Sequence, residues 1–117
     1  MGTTIFVFGS NLAGIHGAGA AKTAREVYGA KLRVGEGRTG DAYALPTKDT
    51  VLRSRPLEDI KDSVDIFIEY ARANQDLTFV VTRVGCGLAG YKEDQIAPMF
   101  ESAPSNCILP PGWNRNT

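Results

Sequence analysis

The chain has 117 residues, 43% of them hydrophobic and 22% charged, which is room for one domain around one core. Its 13 basic and 13 acidic side chains cancel, which argues against non-specific nucleic-acid binding, since that needs an excess of Lys and Arg. No apolar run approaches the ~20 residues that span a bilayer, and no charged leader precedes an apolar segment at the N-terminus. Phe6 also occupies the usual Ser/Thr position of a myristoylation signal. Two cysteines without metal-ligand spacing fit a reducing cytoplasm and no metal.

Ile5-Phe6-Val7-Phe8 is a continuous apolar run of β-favouring residues, which suits a strand buried on both faces. Gly9 to Gly19 reads as a loop. Ala18 to Tyr28 follows as a helix, with a small-residue face of Ala20, Ala21 and Ala24 and with Gly29 to end it. Residues 30–42 carry Gly35, Gly37 and Gly40 and read as a flexible segment. Ala42 to Pro46 reads as a short strand closed by Pro46. Leu57, Ile60, Val64, Phe67, Ile68 and Ala71 share one face of a helix over 57–73. Pro56 opens that helix, Glu58 and Asp59 suit its positive end, and Asn74 closes it. Thr78 to Val84 is the next strand, and a second glycine loop, Gly85 to Tyr91, follows it. A helix near 93–102 admits Pro98 only in its first turn. Asn106 to Pro110 reads as a last short strand, and PGWNRNT as a surface tail with Trp113 packing back. Strands alternating with helices imply a largely parallel sheet covered on both faces, with ligands at the C-terminal ends of its strands.

Both main glycine loops follow strands and therefore reach that same edge. Bare backbone N–H groups there can point at an anion, and a helix N-terminus adds partial positive charge. The alternative is that the glycines serve tight turns alone. Neither common nucleotide fingerprint fits. Lys22 stands where G-x-G-x-x-G needs its last glycine after Gly17 and Gly19. Gly14 and Gly19 are followed by Ala20, not by the lysine of a phosphate-binding loop.

With these residues on the page, the chain resembles a macrodomain, the ADP-ribose-binding α/β module, over nearly its whole length. Gly9-Ser10-Asn11 followed by His16-Gly17-Ala18-Gly19 is similar to that family's first loop. Gly85-Cys86-Gly87-Leu88-Ala89-Gly90-Tyr91 looks like its second, more specific loop. The Leu45-Pro46-Thr47-Lys48 segment resembles the terminal ADP-ribose glycohydrolase branch, whose catalytic lysine falls at Lys48. That branch has an aspartate directly after its GCGL motif, where this chain has Ala89. The resemblance implies a three-layer α/β macrodomain-like fold with a mostly parallel central sheet, forming one domain over residues 1–117. It implies an ADP-ribose or related nucleotide ligand, a diphosphate on the backbone amides of Gly17 to Gly19 and Gly87 to Gly90, and a distal ribose near Asn11. No cofactor is implied, the partner is ADP-ribose or an ADP-ribosylated molecule, and oligomers are possible.

Individual residues carry paired readings. Asn11 binds a ribose hydroxyl or stabilises its own turn. His16 is a proton donor or a loop residue without catalytic duty. Lys48 meets a phosphate as a point charge or is solvated. Asp49 and Asp94 are the nearest substitutes for the missing aspartate, or else turn and cap residues. Tyr91 stacks on the ligand or packs into the core. Cys86 has no activating neighbour in sequence and reads as a small buried residue. Two functions follow: a binder of an ADP-ribose-like ligand, or a hydrolase of ADP-ribosyl bonds or of ADP-ribose 1″-phosphate using Lys48, His16 and Asp94. Ala89 favours the binder.

Overall fold

The computed structural model describes residues 3–113. The first two residues and positions 114–117 of the expected surface tail lie outside the described residues.

Five strands form one sheet in the order β2-β3-β1-β4-β5. The first, β1 (Thr3–Asn11), lies at its centre. It is longer than the apolar run that announces it, because it is paired along both edges. Its first half runs parallel to β4 (Leu77–Val81), from Thr3 opposite Leu77 to Val7 opposite Val81. Its second half runs parallel to β3 (Ala42–Lys48), from Phe6 opposite Ala42 to Asn11 opposite Lys48, with a register shift between Ser10 and Asn11. The ladder thus draws Gly9, Ser10 and Asn11 out of the expected loop and into the strand.

Pro46 does not close β3 but lies inside it. The antiparallel edge strand β2 (Gly37–Thr39) pairs with β3 only from Ala42 to Ala44. Pro46 lies beyond that ladder, where its missing N–H removes no bond to β2. The existence of β2 corrects the reading of 30–42 as merely flexible. A strand this short has no apolar alternation to betray it and is held by its partner.

Helices cover both faces, giving three layers. On one side α1 (Gly19–Val27) lays Ala21 and Ala24 on Phe8, Ala42 and Ala44. Small side chains on helix and sheet allow close approach, and Phe6 stacks on Tyr28 with ring centroids 4.5 Å apart. On the other side α2 (Leu57–Ala73) buries Ile60, Val64, Phe67, Ile68 and Ala71 against Ile5, Val7, Leu45 and Phe79. The expected helix near 93–102 is two pieces, α3 (Glu93–Ile96) and a 3-10 turn at Ala97–Phe100. Pro98 accounts for the break, since inside an α-helix its ring would clash with the preceding turn. The edge strand β5 (Cys107–Ile108) runs parallel to β4. Trp113 packs back as expected, 5% exposed and 5.6 Å from the Phe100 ring. No helix among the described residues is long and apolar enough to cross a membrane.

The chain leaves β1 toward β3 and later returns to β4 on β1's other side. This reversal opens a crevice at the C-terminal end of β1, the usual ligand position in such sheets.

Candidate functional site

A cavity of about 660 Å³ occupies that crevice. One wall is the end of β1 with the loop into α1: Ser10, Asn11, Ile15, Gly17, Ala18 and Gly19. The opposite wall is the loop after β4: Gly85, Cys86, Gly87, Leu88 and Ala89. Thr47 and Lys48 at the end of β3, together with Leu52, contribute between them. The two glycine loops, far apart in sequence, therefore face one space.

The first loop is held open by its own side chains. The Asn11 amide bonds both main-chain groups of Ile15, donating to its carbonyl at 2.8 Å and accepting from its N–H at 3.0 Å. Ser10 donates to the Gly35 carbonyl. Of the two readings of Asn11, the structure shows the turn-stabilising one, on a residue that also lines the cavity. The N–H groups of Gly17, Ala18, Gly19, Ala20 and Ala21 have no acceptor among the described residues, and no side chain caps α1. Helix ends normally satisfy these donors with a cap, with water or with a ligand. Its first turn also carries no acidic residue.

The second loop is equally braced. Gly90 N–H donates to the Gly87 carbonyl at 3.0 Å, Tyr91 N–H donates to the Gly85 carbonyl at 2.9 Å, and Ser54 donates to the Ala89 carbonyl. The N–H groups of Gly87, Leu88 and Ala89 are left without an acceptor among the described residues. Gly90 serves the turn, with φ +83°, and does not line the cavity.

Space around the glycines separates two kinds. A Cβ on Gly35 would lie 2.4 Å from the Asn11 carbonyl oxygen, so packing alone excludes a side chain there. A Cβ on Gly17 or Gly87 would meet nothing within 4 Å. The fold has no use for bare backbone at these two positions, yet both border the cavity.

Lys48 lines the cavity and its ammonium has no ion-pair partner among the described residues. Leu52 reaches the wall from a strained turn. Its φ of +66° is a conformation that costs a non-glycine residue on the order of 1 kcal/mol. Asp49 holds that turn by accepting from the N–H groups of Val51 and Arg53, each at 2.9 Å, so it is a turn residue and not a stand-in for the aspartate. Ile15, Leu52 and Leu88 are exposed at the mouth and form an apolar rim.

Besides Gly90, three expected site residues lie outside the cavity. His16 is fully buried beneath the loop, its Nε2 at 3.1 Å from the Lys31 carbonyl and its ring edge-on to Phe8. It ties the loop to the segment after α1 and does not touch the cavity. Asp94 lies in the first turn of α3 and borders a separate hollow with Trp113. Tyr91 packs against the core and donates its hydroxyl to the Arg55 carbonyl, which settles its two readings in favour of packing.

Sequence reasoning missed Arg83 and Glu93, which form an ion pair on the cavity wall. Trp113 Nε1–H also donates to Glu93, at 2.8 Å. Nothing in the spacing announces this cluster, because a loop brings the partners together. Cys86 carries a free thiol whose pKa is pushed up by burial and by the negative charge of Glu93, against the opposing pull of Arg83. It is therefore a poor nucleophile at neutral pH. Among the described residues, no three or more His, Cys, Asp or Glu side chains come together as a metal-binding group.

No protein-family model matches the chain, and no curated protein does. Among solved structures, a protein of unknown function from Bacteroides thetaiotaomicron is similar in fold. It superposes with a TM-score of 0.67 over 93% of this chain and 86% of that one, at 12% sequence identity. The likeness establishes the three-layer α/β architecture.

Proposed function

We infer that the cavity binds ADP-ribose or a related nucleotide derivative, in the manner of the macrodomains that the two loops resemble. The observation carrying this reading is a cluster of unengaged N–H groups, from two facing loops and an uncapped helix, around one cavity. Such a cluster suits a phosphate or diphosphate. Lys48 adds the positive charge, and the apolar rim of Ile15, Leu52 and Leu88 suits a base or sugar face. Binding without turnover is the reading favoured over hydrolysis. Ala89 stands where the related branch has its aspartate, and His16 and Asp94 lie outside the cavity.

The test is calorimetric titration with ADP-ribose, with AMP, NAD and ADP-ribose 1″-phosphate as comparisons, followed by chromatography of the same mixtures. Binding of ADP-ribose with no product is the expected result. Product from any of these ligands would make the protein a hydrolase, and no heat with all four would overturn the reading.

A further inference from the structure

Burial and pairing of positive charge run opposite to the usual rule in this protein. Among the described residues every lysine and arginine is exposed except Lys48 and Arg55, which are half-buried. The cations that pair with carboxylates are Arg38, Lys61, Arg72 and Arg83, all of them exposed. Lys48 and Arg55 have no ion-pair partner among the described residues. Taking a charge out of water costs free energy that a counter-ion normally offsets. The half-buried carboxylates do not offset it. Asp49 accepts from the N–H groups of Val51 and Arg53, Asp59 lies in the first turn of α2, and neither pairs with a cation.

The two unpaired cations belong to the same strand end. Lys48 closes β3 and lines the cavity. Arg55 lies behind it, and its Nη1 donates to the Pro46 carbonyl at 2.8 Å and to the Ser63 hydroxyl of α2 at 2.9 Å. Its main chain is pinned as well. The N–H donates to the Thr47 carbonyl at 2.9 Å, and the carbonyl accepts from the Tyr91 hydroxyl. Thr47 follows Pro46 and lines the cavity, and one Cα step is ~3.8 Å. The guanidinium charge therefore stands within about one Debye length, ~8 Å, of Thr47. Partial burial keeps salt from screening it fully. Its hydrogen bonds reach a carbonyl and a hydroxyl, acceptors that a neutral amide also satisfies. They do not account for a charge.

We propose that Arg55 is the second fixed positive charge of the anion site: without touching the ligand, it raises the affinity of the cavity for a phosphate-bearing anion that Lys48 and the glycine loops contact. The assignment rests on the nucleotide reading above and deepens it. The missing counter-ion of Lys48 and Arg55 is the ligand's own phosphate charge.

Arg55→Lys and Arg55→Gln both lose the guanidinium fork and differ in charge. Each is titrated calorimetrically with ADP-ribose and with inorganic pyrophosphate, at low ionic strength and well below the melting temperature found by thermal unfolding. Arg55→Lys is expected to bind within about threefold of wild type and Arg55→Gln about tenfold more weakly. Ser63 gives the same test with the arginine in place. Ser63→Asp sets a carboxylate where the hydroxyl now accepts from Nη1, cancels the charge, and is expected to weaken both ligands as Arg55→Gln does. Ser63→Ala removes a hydrogen bond, keeps the charge, and is expected to bind as wild type does. If Arg55 only holds the strand end in place, Arg55→Lys and Arg55→Gln fall together and Ser63→Asp binds as wild type does; either result overturns the proposal. Wild-type protein that binds pyrophosphate but not ADP-ribose would overturn the nucleotide reading, and the charge comparison on pyrophosphate then decides this assignment separately. Wild-type protein that binds neither overturns both.

Discussion

Gly17 and Gly87 offer the sharpest test of what the two loops are for. Neither adopts a left-handed backbone, and a Cβ built on either meets no atom within 4 Å. Replacement by alanine therefore creates no clash in the folded protein. It also restricts the unfolded chain, which by itself stabilises a protein by about 0.4–1 kcal/mol. The melting temperatures of Gly17→Ala and Gly87→Ala should accordingly stay level or rise. Ligand affinity should move the other way. An oxygen accepting from a loop N–H sits ~2.9 Å from the nitrogen, and the new methyl stands in the same space. Losing one charge-assisted hydrogen bond costs about 1.5–3 kcal/mol, roughly a 10- to 150-fold weakening. Gly35→Ala is the control with the opposite signature. Its Cβ would lie 2.4 Å from the Asn11 carbonyl oxygen and 2.9 Å from the Leu12 Cα, backbone atoms that cannot yield cheaply. A destabilisation of about 1–3 kcal/mol is expected there. Thermal melting and ADP-ribose titration on all three variants give the answer. If Gly17→Ala and Gly87→Ala both bind as well as wild type, the bare backbone at these positions does not serve a ligand.

Other expectations follow from the same geometry. Lys48→Ala should weaken ADP-ribose binding by about tenfold and flatten its salt dependence, as calorimetry at two ionic strengths would reveal. Leu52→Gly should not lower the melting temperature, because it relieves a φ of +66°, yet it should weaken binding by removing part of the apolar rim. Phe67→Ala, at a fully buried ring packed on Tyr43 and Phe79, should cost about 3–5 kcal/mol in denaturant unfolding. Burial, with the charge of Glu36 and then Tyr70 adding to it, pushes the Tyr43 pKa up from 10.0 to about 12. The fold favours the neutral phenol, so this contribution to stability is intact below pH ~10 and is lost as pH rises through about 12. Tyrosinate absorbance followed alongside unfolding should show one late-titrating tyrosine.

Much of the architecture is legible from local pattern. The apolar face of α2 repeats with helical period, and its Pro56 and Asn74 boundaries fall where they are read. The glycine loops announce themselves by composition, and their position after strands places them at one sheet edge. These features are legible because the period of buried residues and the backbone preferences of Gly and Pro are properties of short segments.

What the tertiary structure alone decides is which atoms remain unengaged once the segments meet. Asn11 and His16 carry the polar groups that drew attention to the first loop, yet one braces Ile15 and the other is buried against Lys31 and Phe8. Asp94 and Glu93 are neighbours in sequence, but only Glu93 borders the cavity, where a loop brings Arg83 to it. The strand β2 exists because β3 offers it an edge, not because Gly37, Arg38 and Thr39 favour a strand. Hydrogen-bond partners and cavity walls depend on residues tens of positions apart. No pattern within a short segment encodes them, whereas the alternation of strands and helices around one sheet is written along the chain itself.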